Sequence, residues 1–234
     1  MLCDRLQPVI ISARSPDQAA YRKEYSTPDH VLAVTLLVDG CAEWNQDMWI
    51  GLVDFEKSFD AVELSSLWMM LRSLGVGEGY IGLLQKMRKH QTATVIAGAE
   101  SRAFNLSRGV KQGDPISALL FIPVMEVCFR NLKKSWHGLN KPRLGQYYGM
   151  VVDRPGDPLT HRRFADDVLL IAESKGRVIE MPADLKKEAA LYGLVVHMGK
   201  TKALTNVTAY VPHNCAGGRG PGRGETYCVL AHAR

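Results

Sequence analysis

The sequence predicts an α+β fold from three observations: short apolar runs that end at aspartates, longer segments with helical apolar spacing, and two runs that meet at Asp166-Asp167. Trp49-Ile50-Gly51-Leu52-Val53 is long enough for a buried strand and too short to need helical periodicity, and it ends at Asp54. Apolar positions Leu64, Leu67, Trp68, Leu71 and Leu74 place a helix over 61–74, with Gly75 as its stop. A second helix is expected over 80–89, followed by two strands, 92–96 and 103–106, around a turn at Gly98.

Pro115 suits the first turn of a long helix over 115–136, whose apolar face runs through Leu119, Leu120, Val124, Val127 and Cys128. Pro123 is expected to kink or break it. The runs 162–165 and 168–172 read as a hairpin with Asp166-Asp167 at its tip. A helix over 182–192 and strands over 194–197 and 203–207 complete the ordered part. Residues 217–224 alternate glycine with arginine and proline; they cannot bury enough apolar area to offset chain entropy and are expected to be disordered.

Composition narrows the class of protein. Of 234 residues, 46% are hydrophobic and 23% charged, too apolar for a disordered chain. Five cysteines without a close pair argue against a disulfide framework and for a reducing compartment. No apolar run approaches the roughly 20 residues needed to span a bilayer, and the first residues lack the apolar core of a signal peptide. A soluble, intracellular protein with no membrane partner is therefore expected; the sequence does not distinguish nucleus from cytoplasm. The net charge is +5, and the stretch 83–112 carries six basic residues against one acid. Such a stretch suits a phosphate-lined partner, but charge alone favours a solvated face.

Asp54 and Asp166-Asp167 stand at strand ends. If they cluster, their mutual repulsion calls for protonation or a divalent cation, and oxygen-only ligands favour magnesium. Either acid site alone reads as a turn or cap aspartate sooner than as a metal ligand, since Asp is common in turns. Order and context decide between these readings. The block Val53-Asp54-Phe55-Glu56-Lys57-Ser58-Phe59-Asp60, then Arg108-Gly109-Val110-Lys111-Gln112-Gly113-Asp114-Pro115, then Phe164-Ala165-Asp166-Asp167, resembles the palm motifs of reverse transcriptases of non-LTR (LINE-like) retrotransposons. Upstream, the segment from Ser15 to Thr27 is similar to the stretch before the family's first palm strand. Downstream, Gly193-Leu194 to Lys200-Thr201-Lys202 is similar to the block after its catalytic hairpin.

The resemblance implies a polymerase palm, an antiparallel sheet packed on helices, with a partial fingers segment over 1–45 and the palm over 46–210; by composition, residues 211–234 are expected to be a Gly/Arg-rich, disordered tail. It implies an RNA-directed DNA polymerase, a nucleotidyltransferase that adds deoxynucleoside triphosphates to a DNA primer on an RNA template. Asp54, Asp166 and Asp167 fall at the family's catalytic, metal-binding positions, for two Mg2+ ions with Mn2+ as a substitute. Phe59 falls where an aromatic ring blocks a 2′-hydroxyl, Gln112 and Gly113 where nucleotide and template are contacted, and Lys200 beside the nucleotide phosphates. Read from position alone, Phe59 is a core residue at a helix start and Lys200 a surface lysine.

Relative to that family the chain begins after the basic fingers segment and ends in place of a thumb, so impaired synthesis is expected. The rival expectation is an inactive, retroelement-derived nucleic-acid-binding fragment. An RNA-dependent RNA polymerase and a metal-dependent nuclease also use clustered acids; Phe59 opposes the first, and the Gln112-Gly113 block has no role in the second. In the tail, His213, Cys215, Cys228 and His232 are a candidate zinc set on irregular spacing, against a reading as scattered residues.

Overall fold

Two helices precede the first strand: α1 (Leu2–Ser12), and α2 (Thr27–Glu43), which starts where the Asp29 carboxylate accepts the Ser26 backbone N–H at 2.6 Å. The structure, a computed structural model, describes residues 2–21, 26–89, 91–111, 113–137, 148–150, 158–207 and 226–229. Strand β1 (Trp49–Val53) is followed by the short α3 (Ser58–Ala61), α4 (Leu64–Ser73) and α5 (Glu78–Arg88). Four two-residue strands follow, β2 (Thr92–Ala93), β3 (Ile96–Ala97), β4 (Ala99–Glu100) and β5 (Phe104–Asn105). The long α6 (Pro115–Trp136) leads to β6 (His161–Phe164), β7 (Asp167–Ala172), α7 (Lys175–Ala190), β8 (Lys202–Thr205) and β9 (Thr226–Val229).

The main sheet runs β6-β7-β1-β8-β9, antiparallel except for the parallel pair β8 and β9. Alternation along its central strands feeds two apolar layers. Trp49 and Val53 of β1, with Val168, Leu170 and Ala172 of β7, join α1, α4, α6 and α7 in the larger core. Ile50 and Ile171 face the other way and pack beneath α2, against Leu37 and Cys41. The result is an antiparallel sheet packed on helices, as expected. Residues 17–19 extend it further: the Arg163 N–H donates to the Asp17 carbonyl (2.8 Å) and the Ala19 N–H to the Arg163 carbonyl (3.1 Å) along the free edge of β6.

Several expectations need correcting. The single helix over 61–74 is two, because Val62 and Glu63 are extended and bonded elsewhere: the Gly109 N–H donates to the Val62 carbonyl and the Glu63 N–H to the Tyr192 carbonyl. Pro123 does not interrupt α6; Leu119, Leu120, Val124 and Met125 are buried on either side of it, and their packing offsets one lost backbone bond. Helix α7 begins at Lys175, well before Pro182, which is a buried interior residue of the helix. Residues 194–197 form no strand beyond one bridge, Phe55 to Val196. In place of one hairpin around Gly98 there are two small pairs, β2 with β5 and β3 with β4. Residues 217–224, His213, Cys215 and His232 lie outside the described residues; within the tail expected to be disordered, Thr226–Val229, with Cys228, form β9 paired with β8 through backbone bonds.

A buried ion pair ties three elements together. The Arg163 guanidinium donates to Glu126 Oε2 at 3.0 Å, and the backbone N–H of Ser15 donates to Glu126 Oε1 at 3.0 Å. Both side chains are at most 5% exposed. Removing one partner of such a pair strands the other charge, so Glu126→Leu is expected to lower unfolding free energy by about 3–5 kcal/mol. The double replacement Glu126→Leu with Arg163→Met is expected to recover much of that loss, as measured by urea denaturation.

Candidate active site

Strand pairing brings the three aspartates to one end of the sheet. Val53 pairs with Val168 and Phe164 with Asp167, so Asp54, the next residue after β1, stands opposite Asp167. Asp166 occupies the hairpin tip and accepts a hydrogen bond from the Ser58 hydroxyl at 2.6 Å. The proximity has an electrostatic signature: burial, then the charges of Asp166 and Asp54, hold the Asp167 carboxyl above its ordinary range.

Two segments from elsewhere in the chain fasten the turn after Asp54. From one side, the Glu56 N–H donates to the Val195 carbonyl and the His197 N–H to the Asp54 carbonyl, both at 2.8 Å. The same loop sets Lys200 Nζ 3.3 Å from the Asp54 carboxylate. From the other side, the Val110 N–H donates to the Phe59 carbonyl at 2.7 Å. Gly109 must be glycine there: its φ is +82°, and a Cβ would sit 2.6 Å from the Asp60 carbonyl oxygen. Arg88, one of the six basic residues of the 83–112 stretch, holds this loop by donating to the Gly109 carbonyl at 2.5 Å.

Phe59 is partly buried, its ring stacked on Phe121 with centroids 4.5 Å apart and planes 20° from parallel. Gly113 has φ +88° and open space where a Cβ would stand, so the left-handed backbone is what requires glycine. Gln112 lies outside the described residues. Asp54, Asp167 and Lys200 line an open groove of 890 Å³ between the sheet and the start of α2. Ser58 and Tyr21 were not singled out from the sequence. Tyr21 lies close enough to Asp166 that burial, and then that charge, push its phenol pKa up. A hydroxyl residue four positions after Asp54 and a tyrosine in the upstream block were the only signals for them.

These carboxylates suit a hard cation in donor type and in excess negative charge. Among the described residues, no three His, Cys, Asp or Glu side chains are arranged to enclose a metal ion. An open set of this kind fits Mg2+, which takes one or two carboxylates and completes its shell with substrate oxygens and water.

The raised Asp167 pKa sets a pH dependence. The folded state holds that proton more tightly than the unfolded chain, so this group's contribution to stability falls as pH climbs through the raised value. In metal-free buffer Asp167→Asn is expected to raise the melting temperature at neutral pH. The gain should vanish below pH 3.8, where the carboxyl is protonated in both states; paired thermal melts across this range check it.

Residues 1–216 match the family model described as reverse transcriptase (RNA-dependent DNA polymerase). Over 159 residues the chain is 29% identical to a Retrovirus-related Pol polyprotein from type-1 retrotransposable element R2 of Popillia japonica, covering 65% of this chain and 21% of that protein. It is 26% identical over 162 residues to the polyprotein from type-2 element R2DM of Drosophila melanogaster, covering 68% of this chain and 14% of that one. The chain thus spans a minor part of the curated relatives it matches. Among solved structures, apo telomerase from Candida tropicalis, truncated from its C-terminal domain, superposes with a TM-score of 0.63 at 13% identity, over 90% of this chain and 41% of that one. Telomerase from the same organism with a fragment of telomeric RNA gives 0.66 at 11% identity, over 90% and 34%. At such identities these likenesses show the fold alone. Among the described residues no helix is long and apolar enough to cross a membrane. By the extent of the family match and the identity of its relatives, the chain belongs to the reverse transcriptase family, among those of non-LTR retrotransposons.

Proposed function

We propose that residues 46–210 act as the palm that adds deoxynucleotides to a primer 3′-hydroxyl on an RNA template. The observation that carries this reading is the placement of Asp54 opposite Asp167 with Asp166 at the adjoining tip. Asp54, Asp166 and Asp167 would hold two Mg2+ ions, or Mn2+, which when bound lower the pKa of the primer hydroxyl and offset charge on the leaving pyrophosphate.

The chain's own residues supply position and charge. Lys200, on the rim of the 890 Å³ groove, is placed to meet nucleotide phosphates once Asp54 takes another counter-charge. The Phe59 ring, pinned by Phe121, forms a wall that a 2′-hydroxyl would strike. Gly113 lies just before the start of α6 and leaves its backbone open to a template base, and Gln112, by its motif, is the proposed nucleotide contact. A groove of 350 Å³ carries Arg88, Arg108 and Lys111 against Asp60 and suits a nucleic-acid backbone.

A second reading, nucleic-acid binding without synthesis, draws on the open acidic set and on the Lys200 contact that already balances Asp54. Primer extension on an RNA template with Mg2+ or Mn2+ separates the two. Deoxynucleotide incorporation is expected, with Asp166→Asn lowering its rate at least about 100-fold. Template binding with no extension supports the second reading. In the same assay Phe59→Ala is expected to raise ribonucleotide use relative to deoxynucleotide use by about tenfold or more; an unchanged ratio would leave Phe59 as a core residue only.

A further inference from the structure

The upstream block from Ser15 carries a glutamine that neither the metal reading nor the nucleotide reading uses. Gln18 is fully buried, and both ends of its side-chain amide reach one residue of the Asp166-Asp167 hairpin. Its Oε1 accepts the Ala165 N–H at 3.0 Å and its Nε2 donates to the Ala165 carbonyl at 3.2 Å. Oε1 also accepts the Ala20 N–H at 3.1 Å. Two N–H groups converging on one atom fix which end of the amide is oxygen.

Ala165 is the first of the two central residues of the hairpin turn between Phe164 and Asp167, and its φ is +58°. That place favours glycine, because an L side chain enters the left-handed region only against steric strain. The next residue is Asp166. A glycine would allow several backbone conformations at the tip, whereas an alanine held on both its N–H and its carbonyl by a buried amide has one. Flanking bonds from β6 to Asp17 and Ala19 keep Gln18 itself in register.

We infer that Gln18 is a positioning residue for the Asp166-Asp167 tip: it clamps Ala165 in the left-handed conformation and so sets where the Asp166 carboxylate stands. The inference rests on the polymerase reading for its effect on rate, and on geometry alone for its effect on the tip. Misplacing a catalytic group by about an ångström costs on the order of 100-fold in rate.

The test uses the chain as it is, with Gln18→Leu, Ala165→Gly and the double variant. In Gln18→Leu the Ala165 amide is expected to exchange with solvent far faster than in the wild type, while the β1 and β7 amides keep their protection. Turnover in primer extension should fall about 10- to 100-fold at an unchanged KM for primer-template. Ala165→Gly in that background should restore part of the turnover, because glycine reaches the left-handed region unaided. An unchanged turnover, a loss explained by a smaller folded fraction, or losses that simply multiply in the double variant would overturn the inference. Should Gln18→Leu not fold, the wild type still decides: an Ala165 amide that exchanges as fast as an open turn overturns the clamp. If the wild type extends no primer, the polymerase reading fails, and Ala165 exchange together with Mn2+ affinity in the three variants still tests the clamp. Weaker Mn2+ binding in Gln18→Leu, recovered in the double variant, supports it; equal binding in all overturns it.

Discussion

The register between β1 and β7 is the constraint on which the rest depends. Because side chains alternate along a strand, a slip of one residue would turn Asp54 away from Asp167 and drive Ile50 and Leu52 into the layer of α6 and α7. Two apolar layers resist that slip together. Trp49 and Val53 must meet one set of helices while Ile50 meets α2 on the opposite face, and β1 is bonded on both edges, to β7 and to β8. A strand held in this way cannot move without breaking both ladders and both cores. The acids that follow it inherit that precision without contributing to it.

Burial of a carboxylate, and then the like charges beside it, oppose folding at this end of the sheet, and the raised Asp167 pKa reflects both in that order. The chain meets them mainly with backbone bonds. The Asp54 and Phe59 carbonyls are taken by N–H groups from 197 and 110, residues distant in sequence, and the Ala165 N–H by Gln18. Holding a turn by its main chain leaves its side chains open to a ligand, which suits the proposed role of these carboxylates toward a cation and a triphosphate.

Much of this was legible in the sequence. Strand β1, the β6 and β7 hairpin and α6 were readable because each has a simple period and clear punctuation: an aspartate after Val53, a pair of acids at the tip, Pro115 at the helix start. Helix α2 was not, since it lacks one apolar stripe; Leu37 and Cys41 are buried while Val31, Leu32 and Leu36 are exposed. The split between α3 and α4, and the loop at 194–197, depend on hydrogen bonds to residues far along the chain, which no local pattern encodes. At the candidate site, the aspartates, Phe59 and Lys200 were singled out through the resemblance of their motifs. Ser58 touches the hairpin tip through one hydrogen bond and Gln18 through two, and contacts across more than a hundred residues leave no trace in local spacing.

Two ion pairs show how fixed and exchangeable parts are separated. Arg163 and Glu126 are almost wholly buried, and neither can lose its partner without a large desolvation cost, so this pair anchors β6 beneath the hairpin. Lys200 and Asp54 are 65% and 41% exposed, and a pair so open to solvent is worth about 0–1 kcal/mol. Under the polymerase proposal, a divalent cation competing for Asp54 would therefore displace little, and the released ammonium would stay on the groove rim. The weak contact acts as a resident counter-charge for an acidic cluster that would otherwise repel itself, and a pair this weak would leave the same carboxylate open to the proposed metal ion.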